Sequence, residues 1–155
     1  MKILILTVGK PKNNFNALAK LAEEYLTRIK PADFIVTERV PDVTGGSQDN
    51  IIEREGEKLL KKLRPSDKVI LMHDTGKEFS SLDFAKFLNQ ELNNAQGRLA
   101  FIIGGPWGVS QAVKDRADFK LSLSKMTFTH EMCYLFLCEQ LYRAYSIIHG
   151  SDYHH

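Results

Sequence analysis

The sequence predicts an α/β fold, in which a largely parallel sheet carries helices on both faces. Short apolar stretches alternate with amphipathic stretches along the whole chain, an order typical of strand–helix units. The apolar stretches are nearly continuous, as in strands that are buried on both faces. With 155 residues and no linker, repeat or low-complexity tract, the chain is expected to form one domain, residues 1–155.

Four apolar stretches predict the main strands. They cover residues 2–8, 34–36, 68–72 and 99–103, and each is short and rich in β-branched or aromatic residues. A shorter strand is expected near residues 118–123. The segment from His73 to Lys77 contains Gly76 and polar residues, so it is expected to form a loop after the third strand.

The stretches between the strands predict helices. They cover residues 14–29, 50–63, 81–92 and roughly 130–148, with a short helix near 110–116. Two helices have apolar residues at helical spacing that are expected to face the core. In the first helix these are Phe15, Leu18, Leu21, Ala22, Tyr25 and Ile29, and in the third they are Leu82, Phe84, Ala85, Phe87 and Leu88. Because ligands of such sheets bind beyond the carboxyl ends of the strands, the loops after Met72, Ile103 and Leu123 are the expected site.

Composition narrows the class of protein. The chain is 43% hydrophobic and 26% charged, which is ordinary for a globular protein. No apolar run approaches the ~20 residues that span a bilayer, and the first apolar stretch is too short for a signal peptide, so a cytoplasmic location is expected. A net charge of +2 neither indicates nor excludes nucleic-acid binding.

The two cysteines, Cys133 and Cys138, fall on the last predicted helix. They are about 140° apart around its axis, which is a poor arrangement for a disulfide. Two reduced, packed thiols are expected. His130 and Cys133 have a His-x-x-Cys spacing, but no set of four ligands accompanies them, so no metal site is expected.

The Gly104-Gly105 pair follows the fourth predicted strand. Taken alone, it indicates a tight strand-to-helix turn. The sequence is not the Gly-x-Gly-x-x-Gly of a dinucleotide-binding enzyme and not a phosphate-binding loop. A Rossmann-type enzyme is therefore disfavoured.

Several ordered motifs resemble a known family. They are Ile102-Ile103-Gly104-Gly105-Pro106-Trp107-Gly108, the segment from Leu121 to His130, Glu139-Gln140-Leu141-Tyr142-Arg143-Ala144 and the terminal Tyr153-His154-His155. Together they resemble the ribosomal large-subunit pseudouridine N3-methyltransferases of the SPOUT superfamily, over essentially the whole chain. The resemblance implies a C-terminal trefoil knot, a homodimer, S-adenosylmethionine as cofactor and a pseudouridine in a 23S rRNA stem-loop as substrate, modified on the ribosome.

The resemblance also implies the cofactor-binding residues. These are Met72, Gly104 and the loop Leu123, Ser124, Lys125, Met126, Thr127 and Phe128. Met72 stands where the family usually has leucine, which is a change of similar volume. Glycine lets a ligand approach the backbone closely, and no metal is required because the leaving group is already activated.

The catalytic candidates are His130, Arg143, Tyr153 and His154. His130 is compatible with a capping role as well as a catalytic one, and Arg143 is compatible with a structural pair with Glu139 four residues before it. An aromatic residue beside imidazoles suits stacking and hydrogen bonding to an unstacked base. This chain has Tyr134 and His155 where the family commonly has basic residues, which puts the grip on phosphate in doubt.

The last predicted helix is apolar around most of its circumference. Its apolar residues are Met132, Cys133, Leu135, Phe136, Leu137, Leu141, Tyr142, Tyr145, Ile147 and Ile148. Such a helix is buried on more than one side, either inside the chain or against a second copy.

The alternatives for function are a SPOUT methyltransferase that acts on another RNA, such as tRNA, and a non-enzymatic RNA-binding or ribosome-associated module.

Overall fold

A parallel sheet forms the centre of the computed structural model, which describes residues 2–154. Its strand order is β2-β1-β4-β3-β5, and all neighbouring strands pair in parallel. The strands are β1 (Ile3–Val8), β2 (Ile35–Val40), β3 (Lys68–Lys77), β4 (Leu99–Ile103) and β5 (Phe119–Leu121). The helices are α1 (Phe15–Thr27), α2 (Gln48–Leu60), α3 (Ser81–Asn94), α4 (Gln111–Arg116) and α5 (His130–Ile148).

Helices cover both faces of this sheet, as the sequence predicts. Successive side chains along β1 point to opposite faces, so Ile3 and Ile5 pack with α1, α3 and α5. Leu4 and Leu6 pack with α2 and α4. All of β4 and residues 69–72 of β3 are apolar, because both faces of these central strands are buried there.

Strand β2 is longer than the apolar stretch at 34–36 indicates. It continues to Val40 and pairs with β1 along its whole length. Thr37, Glu38 and Arg39 are partly exposed, because β2 is an edge strand. Hydrophobicity alone therefore underestimates the strand.

Strand β3 corrects another expectation, since residues 73–77 are not a loop outside the sheet. The strand continues to Lys77, and both Met72 and Lys77 lie opposite Leu121. The residues between them bulge out of the regular pairing. A Cβ atom on Gly76 would lie 2.7 Å from backbone atoms of Lys120 and Leu121, so glycine permits this close approach.

Polar side chains cap four of the helices. Ser47, Ser80, Ser110 and Thr129 each accept a hydrogen bond from a backbone N–H three residues later, which is the preferred N-cap arrangement. These caps define the start of α2, α3, α4 and α5.

The expected core face of α1 is partly wrong. Phe15 is 41% exposed and Leu21 47% exposed, whereas Ala19 and Ala22 are buried. The small side chains let α1 lie close against α5. Leu82 of α3 is also exposed, at 49%, because it lies in the first turn beyond the packed face.

Helix α5 packs against both α1 and α3, which accounts for much of its apolar circumference. Leu137, Cys138 and Leu141 are buried, while Phe136 remains 37% exposed. The homodimer that the rest of this surface suggests stays a prediction. The trefoil knot is not visible in the strand order and pairings, and it also stays a prediction.

A buried ion pair joins the amino ends of β3 and β4, opposite the expected site. Arg98 donates to both carboxylate oxygens of Asp67, at 3.0 Å from Nε and 2.7 Å from Nη2. Burial alone raises the pKa of Asp67, but hydrogen bonds from Arg98 and from the backbone of Arg64 outweigh it and lower the pKa from 3.8. The carboxylate is thus a charged, fully bonded part of the core.

None of the helices within residues 2–154 is both long enough and apolar enough to cross a membrane.

Candidate active site: a cleft at the carboxyl edge and a tail cluster

A cleft of about 730 Å³ opens at the carboxyl edge of the sheet, where the strand order predicts a ligand site. The ends of β1, β3 and β4 form its floor with Val8, Met72 and Ile103. The walls are the loops after β1 and β4, the loop before α5 and the first turn of α5. This volume is typical of small-molecule sites.

The turn after β4 forms one wall through Gly104 and Gly105. It is closed by a hydrogen bond from Gly108 N–H to the Gly105 carbonyl, 3.0 Å, and Gly108 has a φ of +90°. A Cβ atom on Gly104 would lie 2.7 Å from Cγ1 of Val109. The close packing of the turn on itself, and not only the approach of a ligand, therefore requires glycine here.

The loop before α5 forms the opposite wall. Ser124 folds it locally, because its hydroxyl accepts from Met126 N–H at 3.1 Å and its carbonyl accepts from the Ser122 hydroxyl at 2.8 Å. Met126 is 75% exposed and Phe128 37% exposed. Seven of the eight predicted cofactor residues line the cleft, namely Met72, Gly104, Leu123, Ser124, Met126, Thr127 and Phe128; Lys125 does not.

The first turn of α5 closes the cleft with His130, Glu131 and Cys133. His130 is the only one of the four catalytic candidates that lines it. Burial raises the pKa of the Cys133 thiol to about 12, so this thiol is protonated and unreactive at neutral pH. Cys133 and Cys138 are both free, as the helical spacing predicts.

Arg39, which belongs to no recognised sequence motif, lies behind His130. Its Nη1 and Nη2 lie 2.9 and 3.4 Å from the two carboxylate oxygens of Glu131, and Nη1 also donates to the Gly9 carbonyl at 3.3 Å. The guanidinium stacks over the Tyr134 ring at 4.9 Å. Nε2 of His130 lies 3.5 Å from Oε1 of Glu131. The ion pair thus joins strand β2, the loop after β1 and the first turn of α5 beside the cleft.

Glu55 of α2 belongs to the Glu55-Gly56-Glu57 stretch, which is part of the family resemblance but was not predicted to lie at the site. It is 3% exposed, and its Oε1 accepts from Val43 N–H at 3.1 Å. Its Oε2 has no hydrogen-bond partner and lies 2.7 Å from where a Cβ on Gly105 would be. Glu55 therefore packs behind two cleft walls at once, the Gly104-Gly105 turn and the loop after β2.

The other three catalytic candidates form a separate tail cluster, consisting of Arg143, Tyr153, His154 and Glu139. Arg143 pairs with Oε1 of Glu139 through Nε at 3.0 Å and Nη2 at 2.6 Å, and its Nη1 lies 3.4 Å from Nδ1 of His154. The Tyr153 hydroxyl donates to the same carboxylate oxygen at 3.3 Å. Arg143 lies thirteen residues after His130 on α5, about 20 Å at the helical rise.

Two groups of the tail cluster have raised pKa values. Burial, together with hydrogen bonding and the negative charge of Glu139, raises the pKa of Tyr153 to about 12. The hydrogen bond that Arg143 donates to Glu139 raises the pKa of Arg143 above its usual value. At neutral pH the cluster therefore offers a neutral phenol and a fixed guanidinium, which suit hydrogen bonding to a base or phosphate better than proton abstraction.

Tyr134 and His155 stand where the family commonly has basic residues, and the structure describes only Tyr134. Tyr134 is 1% exposed, its hydroxyl lies 3.1 Å from the Thr37 hydroxyl, and burial raises its pKa. Tyr134 therefore packs in the core under Arg39 and is not accessible at the surface. His155 lies outside the described residues.

Arg39 and Glu55 could not be assigned to the site from sequence because contacts between distant parts of the chain bring them there. The loop after Val8 could have been found, because β1 ends at the same edge of the sheet as β3 and β4. Arg39 and Glu131 are 92 positions apart in sequence, and no local spacing connects them. Among residues 2–154, no group of three or more His, Cys, Asp or Glu side chains is arranged to hold a metal ion.

Comparison with known proteins identifies the family. Residues 1–154 match the profile of a family described as "Predicted SPOUT methyltransferase". The chain belongs to the SPOUT methyltransferase family. Two curated relatives, both named ribosomal RNA large subunit methyltransferase H, come from Porphyromonas gingivalis and Carboxydothermus hydrogenoformans. The first is 40% identical and covers 100% of this chain and 99% of the relative; the second is 39% identical and covers 99% of each.

Solved structures show the same fold. A probable methylase family protein from Haemophilus influenzae Rd KW20 superposes with a TM-score of 0.58 at 11% identity, over 99% of this chain and 70% of that one. A probable methyltransferase from Bordetella pertussis Tohama I gives a TM-score of 0.56 at 11% identity, over 93% of this chain and 95% of that one. The α/β architecture predicted from the sequence is thus confirmed as that of a SPOUT methyltransferase.

Proposed function

We propose that this protein transfers a methyl group from S-adenosylmethionine to large-subunit ribosomal RNA, at N3 of a pseudouridine in a 23S rRNA stem-loop on the ribosome. The observation that carries the proposal is the 730 Å³ cleft, in a chain that aligns end to end with proteins named ribosomal RNA large subunit methyltransferase H. Such an activity belongs in the cytoplasm.

The lining of the cleft suits an adenosyl sulfonium ligand. Met72 and Leu123 supply apolar surface for an adenine ring, and the turn at Gly104 and Gly105 brings backbone close to the ligand. Asp42 and Asp74 also line the cleft, and carboxylates suit hydroxyl and ammonium groups. When bound there, the cofactor supplies an electrophilic methyl group.

The chain has to orient the target base and remove one proton. His130 lines the same cleft and is the candidate to accept the proton from N3. The electron pair of the N3–H bond would then stay on N3. A cofactor held by Met72, Gly104 and Leu123 would supply the methyl group to that atom, and its sulfur would keep the electron pair of the carbon–sulfur bond. Alignment of these atoms supplies most of the acceleration.

The tail cluster is too far from the cleft of its own chain to touch the same base, because about 20 Å of helix separates them. A two-fold dimer that pairs α5 with its copy in antiparallel orientation would bring the tail of one subunit to the cleft of the other. The exposed Phe136, which contacts Phe128 at a ring-centroid distance of 5.3 Å, lies where such a contact would bury apolar surface. The proposal therefore includes a homodimer whose active site takes residues from both subunits.

The test has two stages. Titration calorimetry in EDTA should show S-adenosylmethionine binding, because no step needs a metal. Radiolabelled methyl groups should then pass to large ribosomal subunits in a single-turnover assay. Labelling of tRNA in place of the ribosomal subunit would support the alternative RNA substrate, and no cofactor binding at high concentration would favour a non-enzymatic RNA-binding module.

A further inference from the structure

The ion pair between Arg39 and Glu131 is enclosed. The side chain of Glu131 is 3% exposed and that of Arg39 is 17% exposed. Among the described residues, the Arg98–Asp67 pair on the opposite edge of the sheet is more buried, at 7% and 0%, whereas pairs such as Lys62–Glu38, at 49% and 34%, are open to water. A pair taken out of water costs desolvation energy that its attraction does not reliably recover. Packing alone therefore gives no strong reason for this pair beside the cleft.

The geometry of the pair gives it a consequence for His130. Arg39 holds both oxygens of Glu131, so that carboxyl group is fixed in orientation. Its Oε1 lies 3.5 Å from Nε2 of His130. A carboxylate beside one ring nitrogen favours the proton on that nitrogen, which leaves the other nitrogen unprotonated.

The position of Arg39 makes the arrangement rigid. Arg39 comes from edge strand β2, whereas Glu131 and His130 come from the first turn of α5. The guanidinium also binds the Gly9 carbonyl of the loop after β1 and stacks on Tyr134. The carboxylate beside His130 is therefore tied to the sheet and does not depend on the helix end alone.

We propose that Arg39 and Glu131 are positioning residues, which hold His130 in the cleft with its proton on Nε2, so that Nδ1 is free to accept the N3 proton of the target base. This inference rests on the proposed function, because it assigns His130 a proton to accept. Neither Arg39 nor Glu131 touches the substrate in this scheme. Their effect reaches the reaction only through the orientation and tautomer of His130.

The test uses a double variant, since Arg39→Met alone would strand a buried carboxylate and impair folding. Arg39→Met/Glu131→Gln removes both charges and keeps similar side-chain volumes. The matched control is Lys62→Met/Glu38→Gln, which removes a more exposed pair. Glu38 is the residue before Arg39 on β2. Arg39→Lys keeps the charge but loses the two-pronged contact.

Three quantities are measured for each full-length protein. They are the Kd for S-adenosylmethionine, the single-turnover rate of methyl transfer to ribosomal subunits, and the ¹⁵N spectrum of the imidazoles, assigned with His130→Gln. In the wild type we expect His130 to carry its proton on Nε2. The double variant should lose that preference and methylate roughly 10- to 100-fold more slowly, as misplaced catalytic groups do, with its Kd within about threefold. Arg39→Lys should fall between them, and the control should match the wild type.

Two results would overturn the inference. One is an unchanged rate and an unchanged His130 spectrum in the double variant. The other is a joint loss of cofactor affinity and rate with an unchanged tautomer, which would make the pair merely structural. If the wild type itself transfers no methyl group, the proposed function fails, and the His130 spectra still decide whether the pair sets the tautomer.

Discussion

The variant Gly104→Ala tests whether close packing within the turn after β4 controls the affinity of the cleft for S-adenosylmethionine. In Gly104→Ala, the new Cβ atom would lie 2.7 Å from Cγ1 of Val109 and 3.0 Å from the Gly108 carbonyl oxygen. The first distance is far inside van der Waals contact, so the turn has to move. The new methyl group points into the turn, and its effect on the ligand is indirect.

The magnitude follows from the cost of overpacking. Inserting a methyl group into a well-packed site costs about 1–3 kcal/mol. The free protein can relieve this strain by shifting the turn, but a ligand that needs the original turn must restore it on binding. The affinity for S-adenosylmethionine should therefore fall by up to the same free energy, roughly 5- to 150-fold.

Calorimetry on a double-mutant cycle decides the cause. Val109→Ala removes the Cγ1 atom that the new methyl group meets, so Gly104→Ala/Val109→Ala should recover much of the lost affinity. Val109→Ala alone is the control for the small cavity that it creates. Wild-type affinity in Gly104→Ala, or no recovery in the double variant, would show that the clash does not control the site.

Three further predictions concern stability, the tail and assembly. Asp67→Asn should lower the free energy of unfolding by about 1.5–3 kcal/mol at pH 7. The lowered pKa of Asp67 contributes stability that is present above about pH 3.8 and is lost below it. In urea denaturation, the difference in unfolding free energy between the wild type and Asp67→Asn should therefore be smaller at pH 3 than at pH 7. A difference that is the same at both pH values would contradict the pairing. Deleting residues 153–155 should leave the melting temperature and cofactor Kd nearly unchanged but abolish methyl transfer, and full activity would show that the tail is dispensable. Sedimentation at micromolar concentration should give twice the 17.6 kDa chain mass, whereas a monomer would remove the route that brings the tail to the cleft.

The parts of the fold that follow from apolar runs were predictable. The strands at 99–103 and 68–72 are buried on both faces, so their hydrophobicity identifies them and their carboxyl ends locate the cleft. The polar half of β2 and the bulge after Met72 were not, since an edge strand and a glycine-dependent close approach are set by tertiary neighbours. The predicted face of α1 was partly right in the same way. Ala22 and Ile29 are buried as predicted, whereas Phe15 and Leu21 of the same spacing are exposed, because the neighbours of the helix decide which part of the apolar face is covered.

The candidate site also has parts that could be predicted from the sequence and parts that could not. The loop from Leu123 to Phe128 and the Gly104 turn were predictable because each is a continuous motif. His130 and the tail were recognised as candidates, but Tyr153 and His154 follow α5 and fold back onto Arg143 and Glu139. That contact, which places them about 20 Å from His130 along α5, depends on the path of the chain after the helix. The Arg39–Glu131 pair depends on a contact between β2 and α5, and no sequence pattern marks it.

The central claim is best tested on the RNA itself. Nucleosides from 23S rRNA are analysed by mass spectrometry in cells that carry this protein, in cells that lack it, and in cells complemented with wild type or with Gly104→Val. A methylated pseudouridine should be present in wild-type cells, absent in the deletion, and restored only by the wild-type protein. Unchanged methylated pseudouridine in the deletion strain would contradict the proposed function.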